Sequence, residues 1–161
     1  MRALACFALL ASAAPAVAAS LPENDVALTL GAGAPDGGKA SGPAAGVRLM
    51  HRPTLRQSWG VELATVQGPR SAWLVSALTE LLLDDAPLLP TLGAGVTWGN
   101  RGLDWSLAVR LLLALDWRAT ARLRLGVGVD TYVPLYPFTL AATGAVPGGG
   151  AVVSARVTYG F

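Results

Sequence analysis

A thiol or an imidazole sits at the centre of most side-chain catalysis near neutral pH, and this chain has one of each, Cys6 and His51. Cys6 lies in an apolar leader and His51 is followed directly by Arg52-Pro53. No Walker loop, HExxH pair or calcium loop occurs, and Gly31-Ala32-Gly33 and Gly93-Ala94-Gly95 do not complete a dinucleotide fingerprint. No catalytic, cofactor-binding or metal-ligating residue is expected. The side chains left with chemical character are Arg48, Arg56, Glu62, Glu80, Asp104, Arg110, Asp116, Arg122, Arg124, Asp130 and Arg156. They are near balance in sign. Ionised groups held in a confined space must be paired or hydrated, so such a set predicts interlocking salt bridges. A selective ion path would favour one sign.

What positions these charges is alternation. From Leu103 to Trp117 the odd positions read Leu, Trp, Leu, Val, Leu, Leu, Leu, Trp, while Asp104, Arg110 and Asp116 occupy the even ones. A strand puts the two sets on opposite faces. A helix, at about 100° per residue, would spread those three charges round its whole circumference. The pattern resumes over 122–133, where Leu123, Leu125, Val127, Val129 and Val133 oppose Arg122, Arg124 and Asp130. The result is a hairpin with one oily face and one charged face.

The composition says where such a sheet belongs. Hydrophobic residues make up 53% and charged residues 14% of the 161, and the mean hydropathy is +0.49. That is too apolar for an ordinary soluble domain, yet past the leader no run reaches the roughly 20 residues of a spanning helix. The formal charge is only +2 and the basic residues form no patch, which argues against nucleic acid as a partner. Met1-Arg2, an apolar run to Ala14 and the small residues Ala16-Val17-Ala18 have the pattern of a secretory signal peptide, expected at 1–19. Its removal takes Cys6 away, leaving a mature chain without a thiol, hence without disulfides.

Along 20–161 further alternating stretches recur between turn residues: 25–34, 44–51, 55–66, 71–83, 89–98 and 151–161. Stretch 71–83 also fits helical spacing through Leu74, Ala77, Leu78 and Leu81; the strand reading puts Trp73 and Val75 opposite Glu80. Gly93, Gly95, Gly126 and Gly128 are expected to make room for arginines on the charged face. Asn100-Arg101-Gly102 reads as a hairpin connection. With the two strands of the hairpin the count is eight. The connections 35–43 and 134–150 are long, and those after the second, fourth and sixth strands are short.

The last strand adds a signature: Phe161, Tyr159 and Val157 alternate back from the chain end. It resembles the C-terminal assembly signal of bacterial outer-membrane barrels, and the mature chain as a whole resembles the small eight-stranded members of the outer-membrane-protein A and X type. The resemblance implies an all-β, eight-stranded antiparallel up-and-down transmembrane barrel with its charges in the lumen. It also implies outer-membrane lipid, lipopolysaccharide and the barrel-assembly machinery as partners. Trp105 and Trp117 share a face twelve positions apart, about 29–31 Å along the membrane normal for a tilted strand. Together with Trp59, Trp73, Trp98 and Tyr159 they are expected to form two aromatic girdles.

Function follows less directly from the sequence. The expected role is non-enzymatic: a structural or surface-contact protein with a filled lumen, acting through outer loops 35–43 and 134–150. A surface partner would meet the second of these. One alternative is a passive channel for small hydrophobic molecules, supported by Leu74, Leu78 and Leu82 facing inward. The other is a lipid-modifying enzyme similar to the outer-membrane lipid A deacylases, but their His-x-Ser pattern is replaced here by His51-Arg52-Pro53.

Overall fold

A strand in a membrane must hand every backbone N–H and C=O to a neighbour, and a sheet does this for all its strands only by closing on itself. The computed structural model shows that closure. It describes residues 21–34, 42–67, 71–83, 87–101, 104–135 and 150–161. The proposed signal peptide and most of the two long loops lie outside them.

The eight strands are β1 (Asn24–Ala34), β2 (Gly42–His51), β3 (Gln57–Val66), β4 (Ala72–Leu82), β5 (Leu88–Arg101), β6 (Asp104–Arg118), β7 (Leu123–Pro134) and β8 (Gly150–Gly160). Each pairs antiparallel with the next, and β8 returns to β1 to close an up-and-down barrel. The ambiguous fourth segment is a strand whose burial alternates strictly along its length. Helical spacing loses there because its leucines need only one wall of the lumen, not a second layer to pack on.

Several boundaries differ from expectation. Asn100 and Arg101 pair with Trp105 and Asp104 instead of turning the chain; Gly102 lies outside the described residues. Gly42 and Pro43 already pair with Gly33 and Ala32, so β2 takes the last two residues assigned to the first long loop. In both cases ladder pairing outcompetes the turn preference of Asn, Gly and Pro.

The barrel ends are unlike. Connections 52–56, 83–87 and 119–122 join strands at one end, where the start of β1 and the end of β8 also lie; this is the turn end. The long connections emerge at the other, the loop end. Side chains follow the parity of the strands. Leu28, Leu30, Val61, Leu63, Leu111, Leu113, Val127 and Val153 point outward and are exposed, while Arg48, Arg110, Asp116 and Thr97 point inward and are sealed. An inside this narrow is filled by its own side chains.

The glycines fit that packing differently from expectation. A Cβ on Gly93 would touch Leu112, and one on Gly95 would strike the backbone of β4 and crowd Leu78. At Gly126 it would overlap the Asp116 carboxylate. The space these glycines leave is thus taken by two leucines and an aspartate, not by guanidinium groups. Arginines are long enough to reach the axis from their own strands; leucines packed against a wall are not.

Candidate functional site

Ten charged side chains are buried in the lumen among the described residues, five of each sign: Arg48, Arg52, Arg110, Arg124, Arg156, and Asp25, Glu62, Glu80, Asp116, Asp130. They fall into two groups. The larger is an unbranched chain of alternating sign. Arg110 donates through Nε to Asp130 at 2.7 Å and through Nη2 to Glu62 at 3.1 Å. Arg48 donates through Nε to Glu62 at 2.5 Å and through Nη1 to Glu80. Arg156 reaches Glu80 at 3.5 Å through Nη1 and grips Asp116 with Nε (2.6 Å) and Nη2.

This chain has carboxylates at both ends, four against three guanidiniums, so it carries one excess negative charge. It ties together β2, β3, β4, β6, β7 and β8. Arg110 is satisfied further by Ser76 Oγ (3.2 Å), itself bonded to Thr97 Oγ1 (2.8 Å), and by the Tyr132 ring 5.6 Å below its guanidinium carbon.

The smaller group sits at the turn end. Arg52 donates to Asp25 at 2.9 Å and Arg124 donates to both oxygens of the same carboxylate. Two guanidiniums on one carboxylate leave an excess positive charge, which offsets the excess on the longer chain. Arg52 is incompletely satisfied: its Nε and Nη1 are buried with no hydrogen-bond acceptor among the described residues. A buried donor left unmade costs about 1–3 kcal/mol, and Asp25 keeps Arg124 when Arg52 is removed. Arg52→Met is therefore expected to leave stability unchanged or raise it by about 1 kcal/mol, read from urea unfolding of the barrel in lipid vesicles. A loss of about 3 kcal/mol or more, the usual cost of breaking a buried pair, would show that Arg52 carries its own weight.

Of the sequence-selected charges, Arg48, Glu62, Glu80, Arg110, Asp116, Arg124, Asp130 and Arg156 meet in these groups. Arg56 and Arg122 do not. Both are exposed, in the turns 52–56 and 119–122, beyond the last residue whose parity the sheet enforces. The backbone of Asp104 opens β6, and its side chain lies outside the described residues. Asp25 and Arg52 were missed. Each continues the inward parity of its stretch, Asp25 with Ala27 and Thr29, Arg52 with Arg48 and Met50; Asp25 already lies within 25–34, and extending 44–51 by one residue finds Arg52.

The outward aromatics divide by level. Trp59 and Tyr159 are exposed near the turn end, with Trp117 half-buried beside them. Trp73 and Trp98 are exposed near the loop end, where the backbone of Trp105 pairs with Asn100. Val157 and Phe161 are exposed on the outer face, as Tyr159 is. The Phe161 amide donates to the Asn24 carbonyl at 2.8 Å, across the β1–β8 closure.

His51 is at the turn end. Its Nδ1 lies 3.0 Å from Asn24 Oδ1, and its ring meets Trp59 edge-on at 5.5 Å. Glu23 Oε1 lies 4.0 Å from the same nitrogen, and among the described residues no serine or threonine joins these contacts.

Comparison with solved structures places this geometry. The chain is similar to Neisserial surface protein A (TM-score 0.67, 14% identity, covering 86% of this chain and 96% of that one). It is similar to the N-terminal β-barrel domain of Pseudomonas aeruginosa OprF (TM-score 0.68, 13% identity, 87% and 99% covered). The fold is that of the small eight-stranded outer-membrane β-barrels. The outer-membrane enzyme PagL shares it at lower similarity (TM-score 0.53, 13% identity, 85% and 99% covered). No family model and no curated protein matches the sequence. At these identities the likeness concerns the fold, and barrels of this fold serve different functions.

Proposed function

We propose that the protein is a non-enzymatic barrel of the bacterial outer membrane with a closed lumen, serving as an envelope scaffold or surface contact through its outer loops. The observation that carries this is the alternating chain Asp130–Arg110–Glu62–Arg48–Glu80–Arg156–Asp116. It crosses the bore from β7 to β6 by way of β3, β2, β4 and β8, with its arginines buried. A water-filled path would need these pairs to part, and each parted pair exposes charge to a medium that screens it poorly.

In this reading the segment 1–19 directs export, and Val157, Tyr159 and Phe161 are read by the barrel-assembly machinery. The turn end faces the periplasm. The loop end faces outward among lipopolysaccharide, with 134–150 as the contact for any surface partner. The two groups of outward aromatics mark the lipid interfaces. Three inward leucines, Leu74, Leu78 and Leu82, line β4. They stand beside the ion-pair chain and do not open a greasy bore past it.

Folded protein in detergent is expected to migrate differently on a gel before and after boiling, and to give no conductance steps in a planar bilayer. Steady unit conductance would overturn the closed lumen. A mass change in lipid A when the protein is expressed would overturn the non-enzymatic reading, the alternative to which PagL's fold lends some support. Unshifted migration, with the protein in the soluble periplasm, would overturn the membrane assignment.

A further inference from the structure

Two of the connections at the turn end repeat one pattern. Arg52-Pro53-Thr54-Leu55-Arg56 and Arg118-Ala119-Thr120-Ala121-Arg122 both read Arg-x-Thr-x-Arg. The fold uses the two copies alike. The central hydroxyl closes each turn onto the next strand: Thr54 Oγ1 accepts from the Gln57 amide at 3.0 Å, and Thr120 Oγ1 from the Leu123 amide at 3.0 Å. The last arginine is then fixed at the rim by its own carbonyl. That of Arg56 accepts from the Leu82 amide at 2.7 Å, and that of Arg122 from the Gly160 amide at 2.8 Å. The side chains of both are exposed. One turn joins β2 to β3 and the other β6 to β7, so they stand on opposite sides of the eight-stranded ring.

Each of these arginines has apolar neighbours that a merely solvated charge does not need. Leu55, 69% exposed, precedes Arg56, and the exposed Trp59 follows on the outer face of β3. The Gly160 rung sets Arg122 beside the exposed Tyr159 and Phe161. The acids of this end are engaged elsewhere or stand apart. Asp25 is taken up by Arg52 and Arg124 in the lumen, and that group still keeps an excess positive charge behind the rim. Glu23 is the only exposed acid of the rim among the described residues, with its carboxylate 4.0 Å from His51. Asp84 and Asp85 belong to the third connection, between the two basic ones, and lie outside the described residues.

We propose that each Arg-x-Thr-x-Arg turn binds the headgroup phosphate of an anionic glycerophospholipid, so that the rim holds two such lipids on opposite sides of the barrel. The exposed arginine donates to the phosphate oxygens, which match its charge and its donors. The glycerol and upper acyl chain lie on Leu55 and Trp59 at one site, and on Tyr159 and Phe161 at the other. Free phosphate would leave those apolar surfaces uncovered. The inference rests on the membrane reading above, but not on which leaflet the turn end meets.

The test is native mass spectrometry of the refolded mature chain in detergent micelles, with phosphatidylglycerol or phosphatidylcholine of the same acyl chains added in turn. Two phosphatidylglycerols are expected per barrel, each held about fivefold more tightly than phosphatidylcholine, as one arginine at a lipid surface provides. Arg56→Gln and Arg122→Gln are each expected to weaken one of the two sites about fivefold. The double variant should lose the preference, and lysine at both positions should keep most of it. Inorganic phosphate in excess should not displace the lipid. Equal retention of the two lipids, unchanged retention in the double variant, or displacement by inorganic phosphate would each overturn the proposal. The gel shift on boiling, read on the same sample, reports the membrane reading separately: a barrel that shifts but shows no lipid preference sinks this inference alone.

Discussion

Replacing Arg48 with methionine is expected to cost about 3–5 kcal/mol of unfolding free energy, the penalty for removing one partner from a buried ion pair. Arg48 is 2% exposed and joins Glu62 to Glu80, so its loss leaves two carboxylates under-compensated at once and cuts the chain of pairs in the middle. Arg110 and Arg156 each still hold one of the stranded acids, which keeps the cost near the lower figure and not at twice it. Arg48→Lys restores the charge without the planar fork that reaches both acids; about half the loss should return. The measurement is urea unfolding in lipid vesicles, with intrinsic tryptophan fluorescence as the signal. A loss under about 1 kcal/mol, as for a solvated surface pair, would mean the lumen is wet enough to screen its charges.

The second large effect is on the opposite face. Leu111 is 49% exposed, on the outer parity of β6, midway between the backbones of Trp105 and Trp117. Leu111→Arg is expected to destabilise the barrel in vesicles by about 2–4 kcal/mol, and Leu115→Arg, one pleat from Trp117, by about 0–1 kcal/mol. The contrast carries the argument. A soluble sandwich would show no dependence on depth, and both substitutions on its solvent face would be nearly silent. Equal effects at the two positions would therefore remove the membrane from the account while leaving the barrel intact.

Much of this was legible in the chain because a membrane barrel writes its geometry one residue at a time. An apolar outside and ions inside force period two along every strand, and a sheet without an interior layer gives each residue only two choices of side. Arg48, Arg110 and Asp130 could be placed inward on parity alone. Parity fails where pairing stops, which is why Arg56 and Arg122 left the lumen. Arg52, one residue past the end of β2, stayed in it because Asp25 and the turn hold it there.

Partner choice within the lumen was not legible. Which acid each arginine meets depends on stagger round the barrel, a sum of seven hairpin registers and one closing register that no local pattern contains.

That closing seam has a consequence for how the chain can be cut. Since the Phe161 amide bonds to the Asn24 carbonyl, and Gly160 pairs with Asp25, the start of β1 and the end of β8 sit side by side on one rim. A short peptide would splice them, and fresh ends could be opened at any of the outer connections without losing a rung. The closed ladder itself has no privileged starting stave.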